Sequence, residues 1–165
     1  MSKSKVYFTK EITPESLIKV YDALGCELKG KVCVKISTGE PGGNHFLNPN
    51  LIKGLVNKLN GVICECLTAY PGKRNTVKDH WQTFEDHGFK AIAPCDLLDE
   101  EDTLKLPVTG GKHLKGYNIV GSHLKNYDSA LILSHFKGHA MGGFGGALKN
   151  MSIGFGSAAG KKWMH

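Results

Sequence analysis

The sequence predicts an α/β domain: a mainly parallel central sheet with helices on both faces and a small β-hairpin inserted into it. Two observations predict this. Apolar, β-branched runs alternate with helix-like stretches at an even rhythm, as strands joined by crossover helices require. Three of the strand-like runs also end in unusual loops, at the edge where open α/β sheets bind ligands. All 165 residues are expected to form one domain, since chains of this length rarely divide. An apolar fraction of 41% suffices for a buried core, leaving only Met1 to Lys5 as a segment expected to be disordered.

Lys5–Thr9 (KVYFT) reads as a short strand. Thr13-Pro14-Glu15-Ser16 then opens a helix: Thr13 caps it, and Pro14 fits the first position, where its missing N–H would have no partner anyway. Leu17, Val20, Tyr21 and Leu24 give that helix its buried face, and Gly25 stops it. Lys31–Ser37 (KVCVKIS) is a second strand, followed by a glycine-rich loop over 38–46. Asn48-Pro49 starts a helix that runs to Leu59, with Leu51, Leu55 and Leu59 at four-residue spacing.

Gly61–Leu67 (GVICECL) is a third strand, ending in the loop Tyr70-Pro71-Gly72-Lys73-Arg74. A helix from about Asn75 to His87 stops at Gly88, and a strand resumes near Lys90. Asp99–Asp102 reads as a solvated acidic turn. TLKLPV and KHLKGYNIV flank Thr109-Gly110-Gly111, which predicts a hairpin built onto the main sheet. Asp128–Ser134 (DSALILS) is the last strand and is apolar enough for the sheet centre.

The net charge of +6 comes almost wholly from scattered lysines, with Arg74 the sole arginine. Nucleic-acid readers depend on arginine forks and stacked aromatics, so the charge argues for anionic small molecules and against nucleic acid. The chain shows neither an apolar leader nor a run of about 18 apolar residues, so a cytoplasmic protein without membrane contact is expected. The five cysteines include no C-x-x-C pair and are read as reduced thiols, with Cys33, Cys64 and Cys66 as core packing.

The residues able to carry chemistry lie in three loops at the strand ends. Gly138–Gly160 holds eight glycines in twenty-three residues. Gly142, Gly143, Gly145 and Gly146 directly precede Ala147-Leu148-Lys149-Asn150. Glycines let backbone N–H groups approach a ligand, and a helix starting there would turn its positive end toward an anion. His135, His139 and His165 surround this loop, with Lys137, Lys149, Lys161 and Lys162 interleaved. Histidine binds metals and exchanges protons near neutral pH, and a lysine of lowered pKa becomes a nucleophile or an anchor for a cofactor. The second loop adds Glu40, Asn44 and His45. The third adds Tyr70, Lys73 and Arg74, with His80 just beyond. His87, His113 and His123 carry no pattern.

TGEPGGNHFLNP, TAYPGKRN with a following DH, and SHFKGHAMGGFGGALKNMSIGFGSAAGKKWMH closely resemble the family called domain of unknown function 362, over about residues 30–165. That resemblance implies association with a ferredoxin-like segment bearing two [4Fe-4S] clusters. No four-cysteine cluster motif occurs in this chain, so no iron–sulfur cluster is expected in it alone. HAMGGFGGALK, with a histidine sixteen residues after the lysine, also looks like the cofactor segment of nickel-pincer lactate racemases. That likeness implies Lys149 as covalent cofactor anchor, His165 as nickel ligand and His139 as the group that moves the substrate proton, with His80 as a loose second. The stretch from Asn44 to Pro49 sits where that family has a substrate-binding Arg-Pro pair, and the arginine is missing.

The expected function is therefore a metal- or cofactor-binding, redox-associated domain. Its catalytic candidates are His139, His80 and Lys149. Gly142, Gly143, Gly145, Gly146, Lys149, Asn150, Lys73, Arg74 and Asn44 are the candidates for holding a cofactor. His139, His165 and His45 are the candidate ligands for a metal, which could be nickel, iron or zinc. Two alternatives stand beside it: an electron-transfer or cofactor-carrier module working with an iron–sulfur ferredoxin unit, and a simple anion- or nucleotide-binding domain.

Overall fold

The computed structural model describes residues 3–114 and 116–165. Parts of the segment expected to be disordered and of the second hairpin arm fall on Met1, Ser2 and Lys115, outside the described residues. The elements run α1 Pro14–Ala23, β1 Val32–Lys35, α2 Pro49–Lys58, β2 Val62–Glu65, α3 Val77–Asp86, β3 Cys95–Leu97, β4 Thr103–Val108 and β5 Gly116–Gly121. They continue with a 3-10 turn at Ser122–Asn126, β6 Ser129–Ile132, β7 Lys137–His139, β8 Gly143–Gly145, α4 Ala147–Met151, a 3-10 turn at Ile153–Phe155 and α5 Ala158–Met164.

The three long helices start as their capping residues dictate. Thr13 Oγ1 accepts from Ser16 N and Ser16 Oγ accepts from Thr13 N, both at 3.1 Å, a reciprocal box that satisfies two otherwise free donors. Asn48 caps α2 with Pro49 in the first turn, and Thr76 caps α3. Four parallel strands form the central sheet in the order β3-β2-β1-β6.

Alternation along the strands sorts their side chains onto two faces. Val32, Val34, Ile36, Ile63 and Leu97 meet Ile52 and Val56 of α2 and Phe84 of α3, with Leu17 of α1 packed against them. Cys33, Cys64, Cys66 and Leu98 form the opposite cluster, covered by Leu124, Tyr127 and Phe155. The chain steps from β1 through β2 to β3 and then returns to the far side of β1. Crossovers of one hand therefore send the later segments across the second face. The sheet order reverses between β1 and β6, and the loops leaving their carboxyl ends diverge there. Doubly wound sheets bind ligands at this kind of position.

Several expected elements fall elsewhere. Lys5–Thr9 forms no strand: Val6 is 88% and Phe8 82% exposed, and an extended segment without a pairing partner gains no ladder bonds. The strand expected near Lys90 starts at Cys95, because the chain past Gly88 makes turns that pack Phe89 on the helix face. β6 is an edge strand rather than a central one; Leu131, and Leu133 just past its end, pack on one cluster and are not buried on both sides. The β4–β5 hairpin forms as predicted but as its own two-stranded sheet, not joined to the main one. Asp99 is buried rather than solvated, accepting from Leu67 N at 2.9 Å and from Ala158 N at 2.8 Å. Cys33, Cys64 and Cys66 are buried free thiols in the core, as expected.

The C-terminal helix docks on the hairpin through a glycine. A Cβ at Gly160 would lie 1.8 Å from Ile119 O, so Gly160→Ala forces α5 off β5. A loss of about 1–3 kcal/mol is expected, the usual range for overpacking, and thermal unfolding of the variant measures it. Trp163 stacks on Tyr117 with ring centroids 5.2 Å apart and leaves His165 exposed at the end of α5.

Candidate functional site at the carboxyl edge of the sheet

A buried polar network closes the carboxyl ends of β1 and β2. By alternation Lys35 and Glu65 start on opposite faces, yet their charged ends meet, with Lys35 Nζ 2.5 Å from Glu65 Oε1. Lys35 Nζ also donates to Ile36 O at 2.7 Å and to Asn150 Oδ1 at 2.9 Å. Glu65 accepts further from Thr38 N and Cys66 N, both at 3.1 Å. Burial by itself would raise the Glu65 carboxyl, but the Lys35 ammonium overrides that and holds it at about 2.

Thr38 ties the second loop to α3. Its Oγ1 lies 3.2 Å from His80 Nε2, and its carbonyl accepts from His87 Nδ1 at 2.7 Å. Phe46 stacks on the His87 ring at 4.0 Å. His80 is fully buried, and burial pushes its pKa down to about 4. It is therefore neutral in the folded protein, whereas the unfolded chain protonates near 6.5. Stability should accordingly fall by about 3 kcal/mol as pH drops from 6.5 toward 4, because only the unfolded state gains that proton in this window. Denaturant midpoints across the range check this, and His80→Gln should flatten the slope.

The third loop joins the second through charge. Arg74, buried, bonds Glu40 and lies 2.7 Å from Tyr70 Oη, which donates to Glu40 Oε1 at 2.8 Å. Burial raises the Glu40 carboxyl, but the bonds from Arg74 and Tyr70 lower it overall, with help from the Lys137 charge. Lys137 thus brings the last loop near the other two. The same cation, after desolvation, lowers the Lys149 ammonium.

Within the last loop, His139 is oriented by its own hairpin. Its Nδ1 accepts from Met141 N at 3.2 Å and from Gly142 N at 3.0 Å. Its Nε2 is hydrogen-bonded to Lys149 Nζ. A nitrogen that accepts two amide hydrogens carries no proton, so the neutral ring holds its hydrogen on Nε2. With the hydrogen on Nε2, the bond to Lys149 runs from the ring to the lysine nitrogen when Lys149 is unprotonated. Desolvation lowers the His139 pKa, and so does positive charge on Lys149, when that nitrogen is protonated, and on Lys137.

Of the two glycines before α4, Gly146 is the more closely packed. A Cβ at Gly145 would sit 3.9 Å from Lys149 Cδ, and one at Gly146 would sit 3.2 Å from the Phe136 ring. Gly143 needs its φ of +72° to turn the hairpin. Asn150, next to Lys149, donates from Nδ2 to Ser134 Oγ at 2.9 Å and to Lys35 O at 3.2 Å.

The structure thus gathers Lys149, His139, Gly142, Gly145, Gly146 and Asn150, and it sets Arg74 into the adjoining loops. Asn44, His45 and Lys73 are exposed at the same edge of the sheet. His80 lies beneath the edge, closed to solvent. His139, His165 and His45 do not gather: among the described residues, the ligand atoms that come within 4.8 Å of one another in a group of three belong to Asp96, Glu100 and His123. These three are already tied, Asp96 to His123 at 2.8 Å and to Tyr127 at 2.6 Å, and Glu100 to Trp81 at 2.6 Å. A metal on His139 would have to displace the amide hydrogens or Lys149. Lys35, Glu65, Thr38 and Asp99 are parts of the edge that the sequence reading left out. No helix among the described residues is long and apolar enough to cross a membrane.

Residues 32–165 match the family described as Domain of unknown function (DUF362), and the chain belongs to it. No curated protein and no solved structure matches the chain, so the likeness to lactate racemases has no counterpart among them.

Proposed function

We propose that this family member binds a small anionic carbonyl compound, as substrate or cofactor, at the carboxyl edge of the sheet, and that the Lys149 amine reacts with it or anchors it. One observation carries the reading: His139 Nε2 pairs with Lys149 Nζ while His139 Nδ1 accepts from two backbone amides, and a ring hydrogen on Nε2 can bond that nitrogen only when Lys149 is the unprotonated amine. When the amine lone pair leaves the His139 hydrogen for a ligand carbonyl carbon, a C–N bond forms, and loss of water leaves an imine. His139 Nε2–H is placed to give a proton to the departing hydroxyl. Lys137 supplies positive charge for the anionic end of the ligand, and the glycine loop admits the ligand close to the backbone.

The test uses glyoxylate as probe, with cyanoborohydride to reduce any imine, and maps the modified lysine by mass spectrometry. Lys149 should be modified ahead of exposed lysines such as Lys53 and Lys125. Equal modification of all three would contradict the proposal. His139→Gln should slow modification of Lys149 at pH 7.5 by at least about tenfold, because an ordinary lysine, with a pKa near 10.4, is almost wholly protonated there.

A further inference from the structure

We infer that Lys35 is a positioning residue for the Lys149 amine, acting through Asn150; the inference rests on the reading of Lys149 just given. Lys149 sits on a helix of five residues with no side-chain bond at its N-cap. So short a helix does not hold itself in place in water, and the Gly142–Gly146 segment before it adds freedom rather than restraint. Leu148, at 72% exposed, and Met151 contribute little packing. His139 cannot serve as the external reference, since it belongs to the same glycine-rich segment.

Asn150 supplies what is missing. Its Oδ1 accepts from Lys35 Nζ, and its Nδ2 donates to Lys35 O and Ser134 Oγ. One amide side chain thereby links α4 to the ends of both β1 and β6, the strands between which the sheet order reverses. Lys35 is itself fixed by Glu65 and by the Ile36 carbonyl. Its Nζ also lies 3.3 Å from where a Cβ on Gly154 would stand, so the chain leaving α4 closes over it. A buried ion pair stabilises a core no better than apolar side chains of similar volume. Placement of α4 is a use for Lys35 that an apolar residue could not fulfil.

The experiment compares the full-length protein with Asn150→Ala, Asn150→Asp and Lys35→Met in glyoxylate–cyanoborohydride modification at Lys149. It also reads the His139 Nε2 hydrogen bond to Lys149 by 15N NMR. Asn150→Ala should lower the maximal modification rate at least about tenfold while leaving the half-saturating glyoxylate concentration unchanged, because small misplacement of a reacting group costs rate rather than binding. It should also lose the His139–Lys149 hydrogen bond, read as a shift of the Nε2 resonance, while the tautomer set by the Met141 and Gly142 amides stays. Asn150→Asp keeps the acceptor for Lys35 but loses the donation to Lys35 O, so it should recover only part of the rate lost in Asn150→Ala. Lys35→Met should follow Asn150→Ala; if it fails to fold, the two Asn150 variants decide.

A parent-like rate and a parent-like His139 Nε2 resonance in Asn150→Ala would overturn the role of Lys35 and leave the reading of Lys149 standing. Absence of preferred modification at Lys149 in the parent would overturn both.

Discussion

Lys149→Met should abolish modification by carbonyl probes at the site and release any ligand bound there, while unfolding shifts by less than about 1 kcal/mol. The side chain lies over Gly145 at the rim of the sheet edge, and methionine can fill the same path with its apolar stem. What it cannot supply is the amine lone pair, so the loss should be complete rather than graded. Substitutions at half-exposed positions without caps, cavities or buried charge move stability by only a few tenths of a kcal/mol. Glyoxylate modification and thermal unfolding, measured on the same preparation, separate the two effects. A ligand retained undiminished by Lys149→Met would remove this residue from the site.

Lys35→Met should have the largest effect on stability, a loss of about 3–5 kcal/mol near neutral pH. It leaves Glu65 as a buried carboxylate without its cation, and breaking such a pair is far costlier than replacing both partners together. The pH dependence gives a second signature. In the parent the Glu65 carboxyl is held at about 2, below the roughly 4.3 of an unfolded chain. Its contribution is complete above the unfolded value and is lost as pH falls from there toward 2. In Lys35→Met burial is opposed by the Arg74 charge and the Thr38 and Cys66 amides but no longer by its nearest cation, so the Glu65 carboxyl rises and the variant loses less than the parent on acidification. The gap between them should therefore narrow as pH drops through this window, and urea unfolding at several pH values would show it. A gap that widened would mean that Lys35 does not stabilise the charged form of Glu65.

How far the sequence discloses this site depends on which kind of information each part needs. Caps and stops are local: Thr13-Pro14, Asn48-Pro49 and Gly88 each work through their own neighbours, and all three helices lie where those residues place them. The parallel sheet follows from the alternation of elements, and with it the shared edge for three loops. Strand order is not local. DSALILS reads the same whether it ends a sheet or fills its centre, so β6 was misplaced. KVYFT has strand composition but no partner, and composition cannot report that.

Lys35 and Glu65 had a visible signal that patterns of motif did not capture. Each is a charged residue inside an otherwise apolar strand, KVCVKIS and GVICECL, and two such charges of opposite sign on neighbouring strands invite pairing. Asp99 was hidden among the acidic residues around it, because nothing in Asp99–Asp102 says which carboxylate turns inward to Leu67 and Ala158. His139 and Lys149 were legible as candidates from the glycine loop. Their mutual bond was not, since it depends on a hairpin turn that folds the chain back by ten residues.

The central claim is that Lys149 is a free amine held by the Nε2–H tautomer of His139, and 15N NMR of both side chains in the native protein at pH 7.5 tests it most directly. The account predicts a neutral lysine nitrogen and a histidine whose Nδ1 is unprotonated and whose Nε2 bears the hydrogen. An ammonium on Lys149 beside a histidine protonated at Nδ1 would contradict it.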